Sequence, residues 1–186
     1  MFTLLLAAAL SFTDTDAELA YSLTGKFVES CTPRVAGTIR GRAASFWILD
    51  NASSVGANVR RDQFVAKTSK GDKVMTNLYA EFPATVFDSG PTGQWIVVIS
   101  HFDTKSGVDC PGANDGASTT ALLISLANRI FDLKERPKNI LLVWADGEEC
   151  FETYSENDGL FGSKRAVEYI RARGYDVRAA VCVDML

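Results

Sequence analysis

Residues 139–150 read NILLVWADGEEC, a run of seven mainly apolar residues followed at once by a polar segment with two adjacent glutamates. The run is short, continuous and rich in branched side chains, which predicts a β-strand buried on both faces, as in a parallel sheet. The carboxylates of Glu148 and Glu149 repel each other at close range, so their pairing costs stability unless a proton or a cation relieves it. By itself the segment favours the simpler interpretation, an acidic loop in water, so evidence for a cation site must come from the rest of the chain.

The same strand pattern occurs on both sides of this segment, with helical patterns between. QWIVVIS at 94–100 and VRAAVCVDML at 177–186 are apolar runs that predict strands. The segments 117–133 and 159–174 carry apolar residues at helical spacing and predict the connecting helices. Alternation of strand and helix indicates parallel strands joined by right-handed crossovers.

The first half of the chain has a different order of elements. Residues 13–30 and 36–53 predict two helices, and 63–69 and 73–87 predict two antiparallel strands joined by the KGD turn. No internal repeat or linker interrupts the chain. The sequence therefore predicts one α/β domain, a three-layer sandwich in which a mixed, mostly parallel sheet carries helices on both faces.

Composition argues against a disordered protein, a membrane bundle and a nucleic-acid-binding protein. The chain has 186 residues, 47% hydrophobic and 23% charged, which is a globular balance rather than that of a disordered protein or a membrane bundle. The net charge is −4 and lysines and arginines are scattered, so nucleic acid is a poor candidate for a partner. Outside the first residues, the chain has no apolar stretch of about 20 residues, the length that a membrane span needs.

The first 12 residues allow two interpretations. MFTLLLAAALS has a short apolar core but neither a basic start nor a clean cleavage site, so it fits a remnant of a secretion signal or the first turns of a helix. The first interpretation predicts a secreted or periplasmic protein, and the second allows a cytoplasmic one.

The four cysteines form no CxxC pair, which argues against a zinc finger or a thioredoxin-type site. Cys110 and Cys150 both fall in loops and are the pair to suspect for a disulfide. Cys182, within an apolar run, is expected to be a small core residue.

Polar groups able to bind a metal or transfer a proton follow each of the three apolar strands. Parallel strands joined by crossovers place their carboxyl ends at one edge of the sheet, where such sheets bind ligands. We therefore expect these groups to lie close together. They are His101, Asp103, Asp115, Asp146, Glu148, Glu149 and Asp184.

Three of these residues also have an ordinary structural interpretation when each is taken alone. His101, the only histidine, could be a packed residue, Asp115 a helix N-cap, and Asp184 a strand-end carboxylate. Zinc chemistry explains them together, because zinc takes imidazole nitrogen and carboxylate oxygen and lowers the pKa of its bound water to about 7. A carboxylate that is not a ligand can then serve as general base.

Four motifs in this order resemble those of the zinc-dependent aminopeptidases of the bacterial leucyl aminopeptidase type and the related glutaminyl-peptide cyclotransferases. The motifs are SHFDTK (100–105), PGANDGAS (111–118), DGEEC (146–150) and CVDML (182–186). Taken together they are highly specific. The resemblance covers roughly 13–186, although the first ninety residues match loosely, through TPRVAGT.

The resemblance implies a zinc exopeptidase-like catalytic domain over 13–186, with a peptide as substrate and the following residue roles. His101 and Asp184 would bind one zinc, Asp115 would bridge two zincs, and Glu149 would bind the second. Glu148 would be the general base, and Asp103 would orient His101. A complete domain would hold two zincs, and a single zinc is possible here.

One part of the family pattern is absent. The second zinc normally takes a histidine from beyond the position of Asp184, and this chain has none, so the resemblance predicts a domain whose C-terminal part is missing. The segment CFETYSEND at 150–158 resembles the cyclotransferase branch, which uses one zinc and cyclises an N-terminal glutamine, whereas PGANDGAS resembles the peptidase branch. The sequence favours the aminopeptidase, with the cyclotransferase and an inactive remnant as alternatives.

Overall fold

The computed structural model describes residues 12–86 and 93–186, so the predictions made for residues 1–11 lie outside it. Five strands and four α-helices follow each other along the chain, with one π-helical turn before the third helix. In chain order they are α1 (Asp14–Cys31), α2 (Ile39–Ser54), β1 (Val59–Thr68), β2 (Gly71–Phe82), β3 (Gln94–His101), the π-turn (Ala113–Ser118), α3 (Thr119–Phe131), β4 (Asn139–Ala145), α4 (Phe161–Ala172) and β5 (Asp176–Cys182).

Local signals in the sequence set the beginnings of the first two helices. Thr13 caps α1, and it forms a capping box in which its hydroxyl accepts from the backbone N–H of Asp16 and the Asp16 carboxylate accepts from that of Thr13. Thr38 caps α2 by accepting from the backbone N–H of Gly41. These caps explain why both predicted helices form at the expected positions.

The sheet is mixed, with strand order β1-β2-β4-β3-β5. β1 pairs with β2 and β2 with β4 in antiparallel fashion, whereas β3 is parallel to both β4 and β5. The central parallel pair, β3 and β4, ends at His101 and Ala145, which are directly opposite each other in the register. The residues that follow these two strands therefore emerge at the same edge.

Helices cover both faces of the sheet, which confirms the predicted three-layer α/β sandwich. Side chains alternate along β4: Ile140, Leu142 and Trp144 pack in the core under α1, α2 and α3, and Leu141 and Val143 pack under α4. All seven residues of β4 are buried. A strand buried on both faces is what the unbroken apolar run at 139–145 predicts.

β5 departs from the prediction of a doubly buried strand. Its seven residues are exposed, because it is an edge strand that pairs only with β3 among the described elements. The expectation that Cys182 is a core residue is wrong for the same reason, since Cys182 is exposed.

Two other expectations need correction or completion. The strand expected over 73–87 ends at Phe82, because Pro83 has no N–H for the ladder and restricts the residue before it. Cys110 and Cys150, like the other two cysteines, are free thiols, so the disulfide suspected from the sequence is absent from the structure.

Among the described helices, none combines the length and the apolar composition needed to cross a bilayer.

Candidate metal and acid–base site

Three of the predicted ligands meet at the carboxyl edge of the sheet. His101 ends β3 and is buried, and its Nε2 lies 2.9 Å from Asp115 Oδ1 and 3.5 Å from Asp184 Oδ1. One ligand atom from each of the three residues lies within 4.8 Å of the other two. We call this group the cation cluster. An imidazole nitrogen with two carboxylate oxygens is a donor set that zinc accepts, so the residues fit a divalent cation.

The π-turn brings Asp115 to the histidine. Asp115 and Gly116 have non-helical dihedrals, with φ of +80° at Gly116, a value that favours glycine. A Cβ atom at Gly116 would lie 3.0 Å from His101 Cε1, so only glycine lets the backbone pass this close to the ring. The N-cap of α3 is Ser118 and it makes no side-chain cap hydrogen bond, whereas the Asp115 carboxylate faces His101. The structure thus favours the ligand interpretation of Asp115 over the N-cap interpretation.

Asp103 lies behind the cation cluster and is buried. Its Oδ1 is 3.4 Å from His101 Nδ1, longer than a normal hydrogen bond, and this nitrogen has no hydrogen-bond partner in the described structure. The same carboxylate accepts the backbone N–H groups of Glu148 at 3.0 Å and Glu149 at 3.1 Å. Asp103 therefore faces His101 and also holds the turn after β4, which the sequence did not indicate.

The carboxylates around His101 set its protonation. Burial alone would lower the pKa of His101, but the hydrogen bond of Nε2 to Asp115 and the charges of Asp103 and Asp115 outweigh it and raise the pKa to about 11. Without a cation the ring is therefore a buried imidazolium. A metal bound at Nε2 would replace a proton there, so binding should release a proton.

Glu148 is half-buried in the same turn. Burial raises the pKa of its carboxyl above the ordinary value, the Asp103 charge adds to this, and the His101 charge opposes it. Ser163, at the start of α4, donates a hydrogen bond to Glu148 Oε2 at 3.3 Å. A carboxyl with a raised pKa next to the cation cluster is a stronger proton acceptor than an ordinary glutamate, which suits it to general acid–base chemistry.

Glu149 lies outside the cation cluster. Its Oε2 accepts a hydrogen bond from the Tyr154 hydroxyl at 3.0 Å and lies 3.6 Å from the ammonium of Lys105. Lys105 also donates to the carbonyl of Cys150 at 3.1 Å. Two adjacent glutamates thus face different partners, which reduces the repulsion that their pairing implies.

Asp146, the first residue of DGEEC, is not part of the cation cluster and bonds instead to strand β2. Its Oδ2 accepts the backbone N–H of Thr76 at 2.9 Å, and its own N–H donates to Asn77 Oδ1 at 3.0 Å. Burial, with the Asp103 charge, raises the pKa of Asp146 well above its ordinary value. Its two hydrogen bonds fix the turn after β4 against β2.

The segment 150–158 folds back over the turn that carries both glutamates. Asp158, which is buried, accepts the backbone N–H groups of Phe151 at 2.7 Å and Glu152 at 2.8 Å and the hydroxyl of Ser69 at 3.1 Å. These bonds fix the loop so that Tyr154 reaches Glu149. Neither Asp158 nor Tyr154 was expected to support the site from the sequence.

A mixed sheet between helices, with imidazole and carboxylates at its carboxyl edge, is the arrangement expected of a zinc exopeptidase-like domain. The chain belongs to peptidase family M28, since the model of that family matches residues 77–186. This confirms the family resemblance found in the four motifs.

Relatives from both branches of the resemblance are similar to the chain. A glutaminyl-peptide cyclotransferase of Dictyostelium discoideum is 26% identical over 148 residues, which is 70% of this chain and 41% of the relative. The structure of an Acidobacteriales bacterium glutaminyl cyclase matches with a TM-score of 0.81 and 28% identity, over 94% of this chain and 60% of that one. A Zn-dependent exopeptidase from Parabacteroides distasonis has the same fold, with a TM-score of 0.76 and 20% identity over 94% of this chain and 63% of that one. The chain spans about two fifths of the length of the curated relatives it matches.

Proposed function

We propose that this protein is a zinc-dependent glutaminyl-peptide cyclotransferase, which closes the N-terminal glutamine of a peptide into a ring and releases ammonia. The observation that carries the proposal is the fixed loop 150–158 directly after the two glutamates, held by Asp158 and placing Tyr154 on Glu149. This insertion is the feature of the sequence that resembles the cyclotransferase branch. The names of the similar proteins from Dictyostelium and the Acidobacteriales bacterium support the same branch.

The cation cluster would hold the zinc of this reaction through His101, Asp115 and Asp184. When bound, zinc supplies a Lewis acid that polarises the carbonyl of the glutamine side chain. Asp103 faces Nδ1 of His101, so it would fix the orientation of the ring as a carboxylate commonly does for a ligating histidine. Glu149, which the resemblance assigns to a second zinc, contacts Tyr154 and Lys105, so a single zinc is the occupancy we propose.

Glu148 would carry the proton through the reaction. The bond that forms joins the α-amino nitrogen of the substrate to its side-chain carbonyl carbon, and the bond that breaks releases the side-chain nitrogen as ammonia. The Glu148 carboxylate takes a proton from the attacking amine and returns it to the leaving nitrogen. Its raised pKa makes the carboxylate a stronger proton acceptor than an ordinary glutamate, which suits a group that takes up a proton and passes it on.

An aminopeptidase, which the sequence alone favours, is the second candidate. Half-exposed Asp115 could bridge the cation cluster to a further cation, as the two-zinc arrangement requires. Glu148 would then deprotonate a water molecule rather than an amine. The substrate in both cases is a peptide with a free N-terminus. Secretion, one of the two interpretations of residues 1–12, belongs to the proposal, and N-terminal sequencing of the mature protein tests it.

Parallel assays on one preparation separate these functions. We expect ammonia release from a peptide with N-terminal glutamine, and little hydrolysis of aminoacyl-nitroanilides. Hydrolysis without cyclisation would favour the aminopeptidase. Absence of both activities in a zinc-loaded preparation would favour the inactive remnant.

A further inference from the structure

Arg34, in the loosely matching TPRVAGT motif, is the largest charged side chain in the described interior. It is 0% exposed, and its guanidinium donates hydrogen bonds to four backbone carbonyls. The acceptors are Phe102, Pro111 at 2.7 Å, Gly112 at 2.6 Å and Asp115 at 3.1 Å. A buried charge is costly unless hydrogen bonds satisfy it, so this set of bonds holds both the arginine and its partners in place.

The four carbonyls belong to two of the three segments that carry the cation cluster, those of His101 and Asp115. Phe102 directly follows His101, and the other three acceptors lie in the segment 111–115, which leads to Asp115. The backbone of Arg34 is itself fixed, since its N–H donates to the Thr104 hydroxyl at 3.1 Å. One side chain therefore ties the end of β3 to the start of the π-turn.

The segment 111–115 closes tightly around the guanidinium. Gly112 has φ of +58°, and a Cβ atom there would lie 2.8 Å from Arg34 Nη2 and 2.7 Å from the carbonyl oxygen of Asp115. The Gly112 carbonyl also accepts the backbone N–H of Ala117 at 3.1 Å, a bond that shapes the π-turn. Arg34 and the turn thus fit each other with no space for a different backbone path.

The charge of Arg34 suits this position. Burial lowers its pKa to about 10, and the carboxylates of Asp103 and Asp115 oppose this, so the guanidinium remains charged at neutral pH. Its planar fork can reach several carbonyls at once, which the ammonium of a lysine cannot do.

We propose that Arg34 is a positioning residue of the cation cluster: it sets the backbone of 111–115 so that the carboxylate of Asp115 meets His101 Nε2. The zinc role of the cluster rests on the proposed function, but the positioning of the turn does not. Arg34 touches neither substrate nor cation in this account, and it acts only through the carbonyls it holds.

The test compares Arg34→Lys with Arg136→Lys in the full chain. Arg136 offers a matched control, because its guanidinium also donates to backbone carbonyls, those of Pro83, Ile130 and Leu133, at the opposite end of the sheet. Two quantities are measured: the dissociation constant for Co²⁺, used as a spectroscopic probe, and hydrogen exchange at the Ala117 amide in the metal-free chain.

We expect Arg34→Lys to raise the Co²⁺ dissociation constant by about 10–100-fold, the effect typical of groups that orient ligands. It should also speed exchange at Ala117, while Arg136→Lys leaves both quantities unchanged. Equal Co²⁺ affinity in Arg34→Lys and the wild type, or an equal loss in Arg136→Lys, would overturn the proposal.

A wild-type chain that binds no Co²⁺ would overturn the zinc role, and exchange at Ala117 would then decide the positioning of the turn by itself. If Arg34→Lys does not fold, Gly112→Ala crowds the same guanidinium and should give the same two changes. Wild-type values for both in a folded Gly112→Ala variant would contradict the proposal.

Discussion

Asp103 Oδ1 accepts the backbone N–H of Glu148 at 3.0 Å, and the same oxygen lies 3.4 Å from Nδ1 of His101. One buried carboxylate thus joins the proposed zinc ligand at the end of β3 to the turn that carries the proposed proton carrier after β4. The positions of ligand and proton carrier are therefore set together.

Asp103→Asn should weaken both the contact of this side chain with His101 and its hold on the turn after β4. An amide has one oxygen, so its NH₂ group would face the N–H of either Glu148 or Glu149 and leave it without an acceptor. We expect a loss of about 1–3 kcal/mol in the free energy of unfolding, and zinc affinity lower by about 10–100-fold. Denaturant unfolding and metal titration measure these changes. Asp109→Asn, in the exposed part of the same loop, is the control, and equal behaviour of the two variants would contradict the role of Asp103.

Glu148→Gln should abolish most of the activity while the fold persists. General acid–base catalysis contributes about 10²–10⁴-fold, and glutamine cannot carry the proton. We expect kcat/KM on a glutaminyl peptide to fall within that range with little change in melting temperature. Glu152→Gln, an exposed residue that pairs with Lys70, should retain activity. Activity in Glu148→Gln at the level of Glu152→Gln would rule out the proposed proton carrier.

The acidic side of the pH profile should report Glu148. Burial raises its pKa, so kcat/KM should rise with pH through a value above about 4.3, the ordinary pKa of glutamate. The Ser163 hydrogen bond favours the charged form, so Ser163→Ala should move this rise to higher pH. Ser53→Ala, on the exposed face of α2, should leave the profile unchanged. A shift to lower pH in Ser163→Ala would show that another group titrates.

Asp158 should stabilise the loop 150–158 in a pH-dependent way. Burial alone would raise its pKa, but the N–H groups of Phe151 and Glu152 and the Ser69 hydroxyl outweigh this and lower it. The stabilisation is therefore complete above the ordinary aspartate pKa of about 3.9 and is lost as the pH falls through the lower folded value.

Asp158→Asn should therefore lower the free energy of unfolding by about 1.5–3 kcal/mol at neutral pH. The difference from the wild type should shrink as the pH approaches about 3. Urea unfolding across this range measures it, with the exposed Glu156→Gln as control. A difference that grows towards acid pH would contradict the assignment.

Much of the fold follows from local patterns in the sequence. The run at 139–145 predicts β4 with its bounds, because a short unbroken apolar run between polar segments is typical of a strand buried on both faces. The order of strands and helices then places His101, Glu148 and Asp184 at one edge of the sheet. The same reasoning fails for β5, because an apolar run does not show what covers it, and here both faces of the strand are exposed.

The supporting residues of the site could not be found this way. Arg34 meets its partners 68 to 81 positions later in the chain, and such distant contacts leave no local pattern. Asp158 in a loop looks like any surface aspartate until its backbone partners are known. The alternation of strands and helices predicts which residues meet at the sheet edge, but not how each carboxylate divides its hydrogen bonds.

Zinc content measured together with chelation tests whether His101, Asp115 and Asp184 form a zinc site. We expect the purified chain to hold about one zinc. Chelation should lower the free energy of unfolding by about 2.7 kcal/mol if free zinc had been a hundredfold above its dissociation constant. Asp115→Ala should lose the metal and the response, and Asp109→Ala should keep both. A wild-type chain that binds no added zinc and melts identically with and without chelator would contradict the account.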